Sequence, residues 1–225
     1  MMKVELIEQM GSDLTVANAA RVSFEKESEW DYGEYCEQCN DYHEPTLKNA
    51  DAKLIAYLAK HNHWTPFGHC FVSFRIKAPI FVARQLGKHQ VGLVWNEVSR
   101  RYVDSDPEFY RPLVWRKRAD NVKQGSSDET CLLGNDIDDD FNDECLRRYK
   151  FFIDEGVCPE QARMVLPQSM MTEWIWSGSL AAFARVARLR LDPHTQYETR
   201  IVAMNIANEM ADLYPHSWKA LMDHG

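Results

Sequence analysis

The sequence predicts an α+β fold, a small mixed or antiparallel sheet packed with long helices. Two observations carry that prediction. Cys70, Val72, Phe74, Ile76 and Ala78 alternate with Phe71, Ser73, Arg75 and Lys77, the period of a strand with one buried face. Elsewhere helical periods dominate, and the few strands are interrupted by helices rather than joined into hairpins.

Taken in order, Lys3 to Glu8 alternates apolar and polar residues and reads as a short strand. Asp13 is placed to cap a helix reaching about Val22, with Val16, Ala17 and Ala20 on one side. Residues 25–46 are polar and aromatic without a sustained period, so a loop is expected. A helix over Ala52 to His61 turns Leu54, Ile55 and Leu58 inward. After the 70–78 strand, Pro79 stands where a first helical residue belongs. The helix then runs to Gly87, placing Arg84 and Lys88 on one face.

Residues 117–140 read as a surface loop, with Gly125-Ser126-Ser127 and the acidic run Asp136 to Asp140. Phe141, Cys145, Leu146, Tyr149, Phe152 and Ile153 fit a helix stopped by Gly156. Pro159 starts a short helix to Leu166, and Thr172 to Trp176 alternates as a strand. Ser179 can cap a helix to about Leu189. Asp192-Pro193 suits the start of a last long helix, Thr195 to Leu213, leaving His216 and His224 in a tail.

A hydrophobic fraction of 45% over 225 residues supplies the core of one domain spanning 1–225. No apolar run is long enough to cross a bilayer, and residues 1–6 lack the features of a secretory signal. The expectation is a cytoplasmic protein with no membrane partner. A net charge of −8 disfavours a nucleic-acid partner, which needs a basic face. The charge is uneven, however. Arginines gather at 84–101 and 185–190, and a local cationic pocket in an acidic chain suits a small anion.

The six cysteines show no disulfide spacing, and free thiols are expected. Cys36-x-x-Cys39 followed by His43 resembles part of a zinc site, but no fourth ligand lies nearby, so the expectation is no metal. Nor does a glycine-rich phosphate loop follow a strand, which excludes the dinucleotide-binding fold as a cofactor cradle.

The densest stretch runs from Arg84 to Tyr102. It holds four cations (Arg84, Lys88, Arg100, Arg101), His89, Ser99 and three amides (Gln85, Gln90, Asn96). Guanidinium forks bind phosphate oxygens in pairs, and amides match the donor–acceptor edge of a uracil ring. A solvated charged helix and loop would carry the same residues, so composition alone leaves both readings open.

This stretch resembles the signature of the flavin-dependent thymidylate synthases: Arg-His-Arg, seven residues, then Ser. The following Asn96-Glu97-Val98-Ser99-Arg100-Arg101-Tyr102 is similar to the family's continuation. So are Ala19-Ala20-Arg21-Val22-Ser23-Phe24, His63-Trp64-Thr65-Pro66-Phe67-Gly68-His69, the stretch from Ala78 to Gln85, Gln161 to Pro167, and Leu189-Arg190 to Glu198, all in family order. Two departures stand in the signature. Lys88 and Gln90 replace its arginines, and eight residues rather than seven separate Gln90 from Ser99.

The resemblance implies a homotetramer whose sites are assembled from several subunits. It implies methylation of dUMP to dTMP with bound FAD, NADPH as reductant and 5,10-methylenetetrahydrofolate as one-carbon donor. By the same resemblance Gln85, Lys88, Glu97, Ser99, Arg101, Arg163 and Arg190 contact dUMP. His63, Thr65, Lys88, His89, Gln90, Ser179, Arg185 and His194 lie along the flavin, His63 near flavin or folate. Arg190 is the catalytic group, stabilising negative charge on the pyrimidine; no cysteine nucleophile is implied. Ser99 is read as a hydrogen-bonding residue, since no histidine–carboxylate pair is assigned to activate it. Three rival readings remain: a non-catalytic nucleotide or flavin binder on this scaffold, a relative making another 5-substituted dUMP, and a nucleic-acid module.

Overall fold

The computed structural model describes residues 1–33, 35–36, 41–42, 44–120, 125–131, 133 and 136–224. The N-terminal part runs β1 (Lys3–Met10), α1 (Asp13–Arg21), β2 (Tyr35–Cys36), β3 (Asp41–Tyr42), α2 (Asn49–Lys60), β4 (Phe71–Pro79), α3 (Ile80–Leu86) and β5 (Leu93–Glu97). Then come β6 (Arg116–Arg118), β7 (Ser126–Thr130), α4 (Asp136–Asp154), α5 (Pro159–Ala162), β8 (Met171–Ser179), α6 (Leu180–Arg190), α7 (Tyr197–Leu213) and α8 (Pro215–His224).

The fold is α+β, as expected. Its main sheet has four strands in the order β1-β4-β8-β5, every neighbouring pair antiparallel. β4 and β8 form its centre, Phe71 opposite Ser179 and Pro79 opposite Met171. Both strands pass straight into a helix, so α3 and α6 leave from opposite ends of the sheet. One face carries Val72, Phe74, Ile76, Trp174 and Trp176, all buried. The helices cover that face, with Phe183 of α6 edge-on to both Phe74 and Trp176. Trp95 of β5 stacks on Trp174 at 4.4 Å between ring centres. The other face shows Ser73, Arg75, Glu173, Ile175 and Ser177, where Ser73 and Ser177 hydroxyls bond at 2.8 Å and Ile175 is exposed.

Several local expectations are corrected. Ser12, not Asp13, precedes α1, and its amide donates to Thr15 Oγ1 at 3.0 Å. Asp13 is buried and caps a helix distant in sequence: its carboxylate accepts from the His216 and Ser217 amides of α8 at 2.9 and 2.8 Å. That satisfies two of the free N–H groups at the start of α8, so the expected tail is a packed helix with Trp218 and Leu221 buried.

Pro79 is the last residue of β4, and α3 ends at Leu86, leaving Lys88 beyond the helix. Within 117–140 lie the β6–β7 hairpin and the start of α4 rather than loop throughout. Phe141 faces solvent, whereas Asn142, Cys145 and Tyr149 are buried on α4. Asp192 caps a turn by accepting from the His194 amide at 2.7 Å, and α7 begins only at Tyr197. Cys39 and His43 of the suspected metal cluster, and the side chain of Cys36, lie outside the described residues.

Candidate functional site

The C-terminal ends of α3 and α6 meet, and a cleft opens beside them. Helix α3 leaves backbone carbonyls without helical partners at its last turn. Arg190, in the last turn of α6, fills that need: its Nη2 donates to the Gln85 carbonyl at 3.2 Å. Its Nε donates to His89 Nε2 at 2.9 Å. The ring therefore accepts at Nε2 and keeps its proton on Nδ1. Burial, then the Arg190 and Arg185 guanidinium groups, hold the His89 ring below the usual imidazole range.

A pH prediction follows. The neutral ring's contribution is fully present above the unfolded value of about 6.5 and is lost as pH falls toward the lowered folded value. In an NMR titration of the His89 ring, Arg190→Gln should raise the midpoint toward the ordinary imidazole value. An unmoved midpoint would contradict this account.

The cleft has a volume of about 1540 Å³. Gln85, Lys88, Arg190 and His194, four of the residues singled out in the sequence, line it. Gln85 Nε2 donates across it to Gln196 Oε1 at 2.5 Å. Aromatic walls come from Phe81, Tyr110 and Trp115. Arg188 also lines it, and burial, then the neighbouring Arg185 charge, lowers the pKa of its guanidinium. Tyr110, Trp115, Arg116, Arg188, Gln196 and Glu198 were missed as site residues. Gln196 and Glu198 fall in a quoted family segment, but the spacing of Arg116 gives no hint that it reaches Glu198.

The remaining candidates stand apart from the cleft lining. Around the turn before β5, Arg185 Nη2 donates to the Val91 carbonyl at 2.6 Å, and the Gln90 carbonyl accepts from the Leu93 amide at 3.1 Å. Gly92 sits there at φ +75°, close against Ala182, Ser179 and Arg185. Ser179 caps α6 as expected, accepting from the Ala182 amide at 3.3 Å. Glu97, at the end of β5, accepts from Thr172 Oγ1 at 2.7 Å and from Trp95 Nε1 at 3.2 Å. Ser99 Oγ accepts from the Arg101 amide at 3.3 Å, and the Arg101 guanidinium lies over the Tyr102 ring. Arg163 is exposed on the short helical turn after α5; His63 and Thr65 are exposed between α2 and β4.

Cys70, the buried thiol just before β4, is pushed up to about 12 by burial and then by Asp13. It is an inert core thiol.

The family model described as thymidylate synthase complementing protein matches residues 5–216. A flavin-dependent thymidylate synthase of Thermus thermophilus is 37% identical over 224 residues, covering 98% of this chain and 76% of the relative. The chain belongs to the flavin-dependent thymidylate synthase family.

A second family member, from Thermosipho africanus, is 34% identical over 223 residues and is matched over 90% of its length. Among solved structures, the UMP/dUMP methylase PolB of Streptomyces cacaoi, bound with 5-Br dUMP, superposes with a TM-score of 0.81. That pair is 28% identical, covering 100% of this chain and 96% of the methylase. Flavin-dependent thymidylate synthases are enzymes, so the family assignment weighs against the nucleic-acid module and the non-catalytic scaffold.

Proposed function

We propose that this chain converts dUMP to dTMP, taking the one-carbon unit from 5,10-methylenetetrahydrofolate and the reducing equivalents from NADPH by way of bound FAD. The family assignment supports the reaction class. The observation that carries the reading to named residues is the Arg190 guanidinium, held on Gln85 and His89 in the lining of the cleft.

An arginine is charged at every working pH and is pre-aimed here by two acceptors, so it need not reorganise as charge develops. It stabilises negative charge on the pyrimidine and raises electron density at C5. Gln85 and Gln196 offer amide edges to a uracil ring, and Lys88 is exposed on the cleft wall for phosphate. The cleft's aromatic and cationic lining suits a flavin with its phosphates, and of the residues assigned to the flavin Lys88 and His194 line it; His63, Thr65, His89, Gln90, Ser179 and Arg185 lie outside that lining and would hold the flavin of a neighbouring subunit. Bound there, the flavin supplies the hydride chemistry that no side chain can. Lys88 gives its phosphates a point charge in place of the planar fork of an arginine.

Glu97, Ser99, Arg101 and Arg163 would meet the nucleotide of a neighbouring subunit in a homotetramer. What supports this is that Glu97, Arg101 and Arg163 are exposed and Ser99 half-buried outside the cleft lining, together with exposed Val91, Val94, Val98 and Tyr102 beside them.

The test is the visible absorption spectrum of the purified protein, with FAD added, then NADPH with and without dUMP. The expected result is a bound oxidised-flavin spectrum that NADPH bleaches faster when dUMP is present. It is followed by dTMP formation once methylenetetrahydrofolate is added. A product mass above that of dTMP would point to another 5-substituted dUMP. Failure to retain flavin would sink the reading.

A further inference from the structure

Outside the residues already assigned, the cleft contains a buried charged network. Glu198, in the first turn of α7, is almost wholly buried, and its Oε1 accepts from Arg116 Nη2 at 3.1 Å. Arg116 belongs to β6. Its Nε donates to Ser126 Oγ of β7 at 2.7 Å, and its Cζ lies 4.1 Å from the centre of the Tyr197 ring. One guanidinium thus holds the hairpin with one edge and the start of α7 with its other edge and its face. A lysine ammonium cannot make these three contacts together.

The contacts continue into the cleft. Gln196, immediately before Tyr197, accepts from Gln85, whose carbonyl in turn accepts from Arg190. On the hairpin side, Gly125 stands at φ +102°, and a Cβ there would come within 3.4 Å of the His194 Cα and carbonyl oxygen. The hairpin therefore seats directly on the turn that presents His194. From below, Arg200 Nη1 donates to the Pro193 carbonyl at 3.1 Å and Thr195 Oγ1 to the Leu189 carbonyl at 3.1 Å. Tyr110 packs beside the pair, its hydroxyl pushed up to about 12 by burial and then by Glu198. It remains a neutral donor.

We propose that Arg116 is a positioning residue for nucleotide methylation: it clamps the β6–β7 hairpin to the start of α7 and thereby fixes His194, Gln196 and Gln85 around Arg190. The proposal rests on the reading of this cleft as the dUMP and flavin site. The alternative role for Arg116 is only to neutralise a buried carboxylate.

The experiment separates the two. Arg116→Met, Arg116→Lys, Gly125→Ala and the double variant Arg116→Met/Glu198→Gln are purified as full chains. Thermal midpoint, flavin content, and kcat and KM for dUMP are measured for each. Arg116→Met strands a buried carboxylate and loses stability, whichever role is right. The double variant removes both charges and should recover the midpoint, yet keep kcat/KM for dUMP down by roughly 10- to 100-fold, the scale on which misplacement acts. Arg116→Lys should not rescue it. Gly125→Ala, which changes no charge, should show the same kinetic defect.

A double variant, or Arg116→Lys, with wild-type kcat and KM would overturn the proposal. Should the double variant not fold, unaltered kinetics in Gly125→Ala would do so. Wild-type protein that forms no dTMP sinks the functional reading and this inference with it. An active wild type beside an unaltered double variant sinks the inference alone.

Discussion

Arg190→Gln is expected to lower kcat for dTMP formation by about 10²–10³-fold while the protein still folds and takes up flavin. Two features set the size. The guanidinium is the positive group that two acceptors, the Gln85 carbonyl and His89 Nε2, hold at the cleft. Charge on a pyrimidine ring develops in the transition state, so a fixed cation there acts on kcat rather than only on KM.

Gln can still donate to the Gln85 carbonyl, which limits the structural damage, but it brings no charge. Arg190→Lys restores the charge without the fork and should recover only part of the rate. Steady-state kinetics at saturating dUMP, with flavin content measured on the same samples, decide the matter. If Arg190→Gln keeps more than a tenth of the wild-type kcat, roughly 1.4 kcal/mol of barrier, Arg190 is a binding residue and the electrostatic account fails.

The fold class and the central strands were legible because their signals are local. Cys70 to Ala78 alternates strictly, and Ser179 carries its own capping hydroxyl. What stayed hidden is non-local. The cap of α8 is Asp13, some two hundred residues earlier, so no capping side chain stands next to Pro215 to complete the helix-start signal that the proline gives. Strand β5 lies inside the signature stretch, where charge and amides obscure its period; Val94 is exposed and Trp95 is turned onto Trp174. The β6–β7 hairpin has no apolar alternation because a cation–carboxylate contact, not a hydrophobic face, ties it down.

The candidate site divides along the same line. The pairing of Arg190 with His89 and Gln85 could not be read from spacing, since it needs the ends of two helices to meet. Lys88 was placed on a helix face by its four-residue offset from Arg84. Gly87 instead ends α3, which turns Lys88 toward the cleft. Glu97, Ser99 and Arg101 were recognisable as a motif, yet the single chain keeps them outside the cleft lining. On the reading proposed above, they would serve a site completed by a neighbouring copy of the chain.

The largest expected loss of stability lies at Asp51 rather than in the cleft. Its side chain is fully buried in the first turn of α2. Oδ1 accepts from Arg21 Nε at 2.7 Å and Nη2 at 2.5 Å, and Oδ2 accepts from Ser28 Oγ at 2.5 Å. One carboxylate thus joins the end of α1, the following loop and the start of α2, where a negative charge also favours the helix dipole.

Asp51→Ala should cost about 3–5 kcal/mol, because it strands a partly buried guanidinium and a hydroxyl. For a chain of this size that is a fall of roughly 6–20 °C in the thermal midpoint. Arg21→Met with Asp51→Leu removes both charges and should recover much of the loss, since a buried ion pair is worth little against well-packed apolar groups. Denaturant unfolding of the two single variants and the double variant measures this. The loss should also reach function: α2 leads directly to His63 and Thr65, so Asp51→Ala should bind flavin more weakly than the double variant does. A loss below about 1 kcal/mol, the scale of an exposed pair, would mean that the three segments are held together elsewhere, and the predicted link between α1 packing and flavin uptake would fall with it.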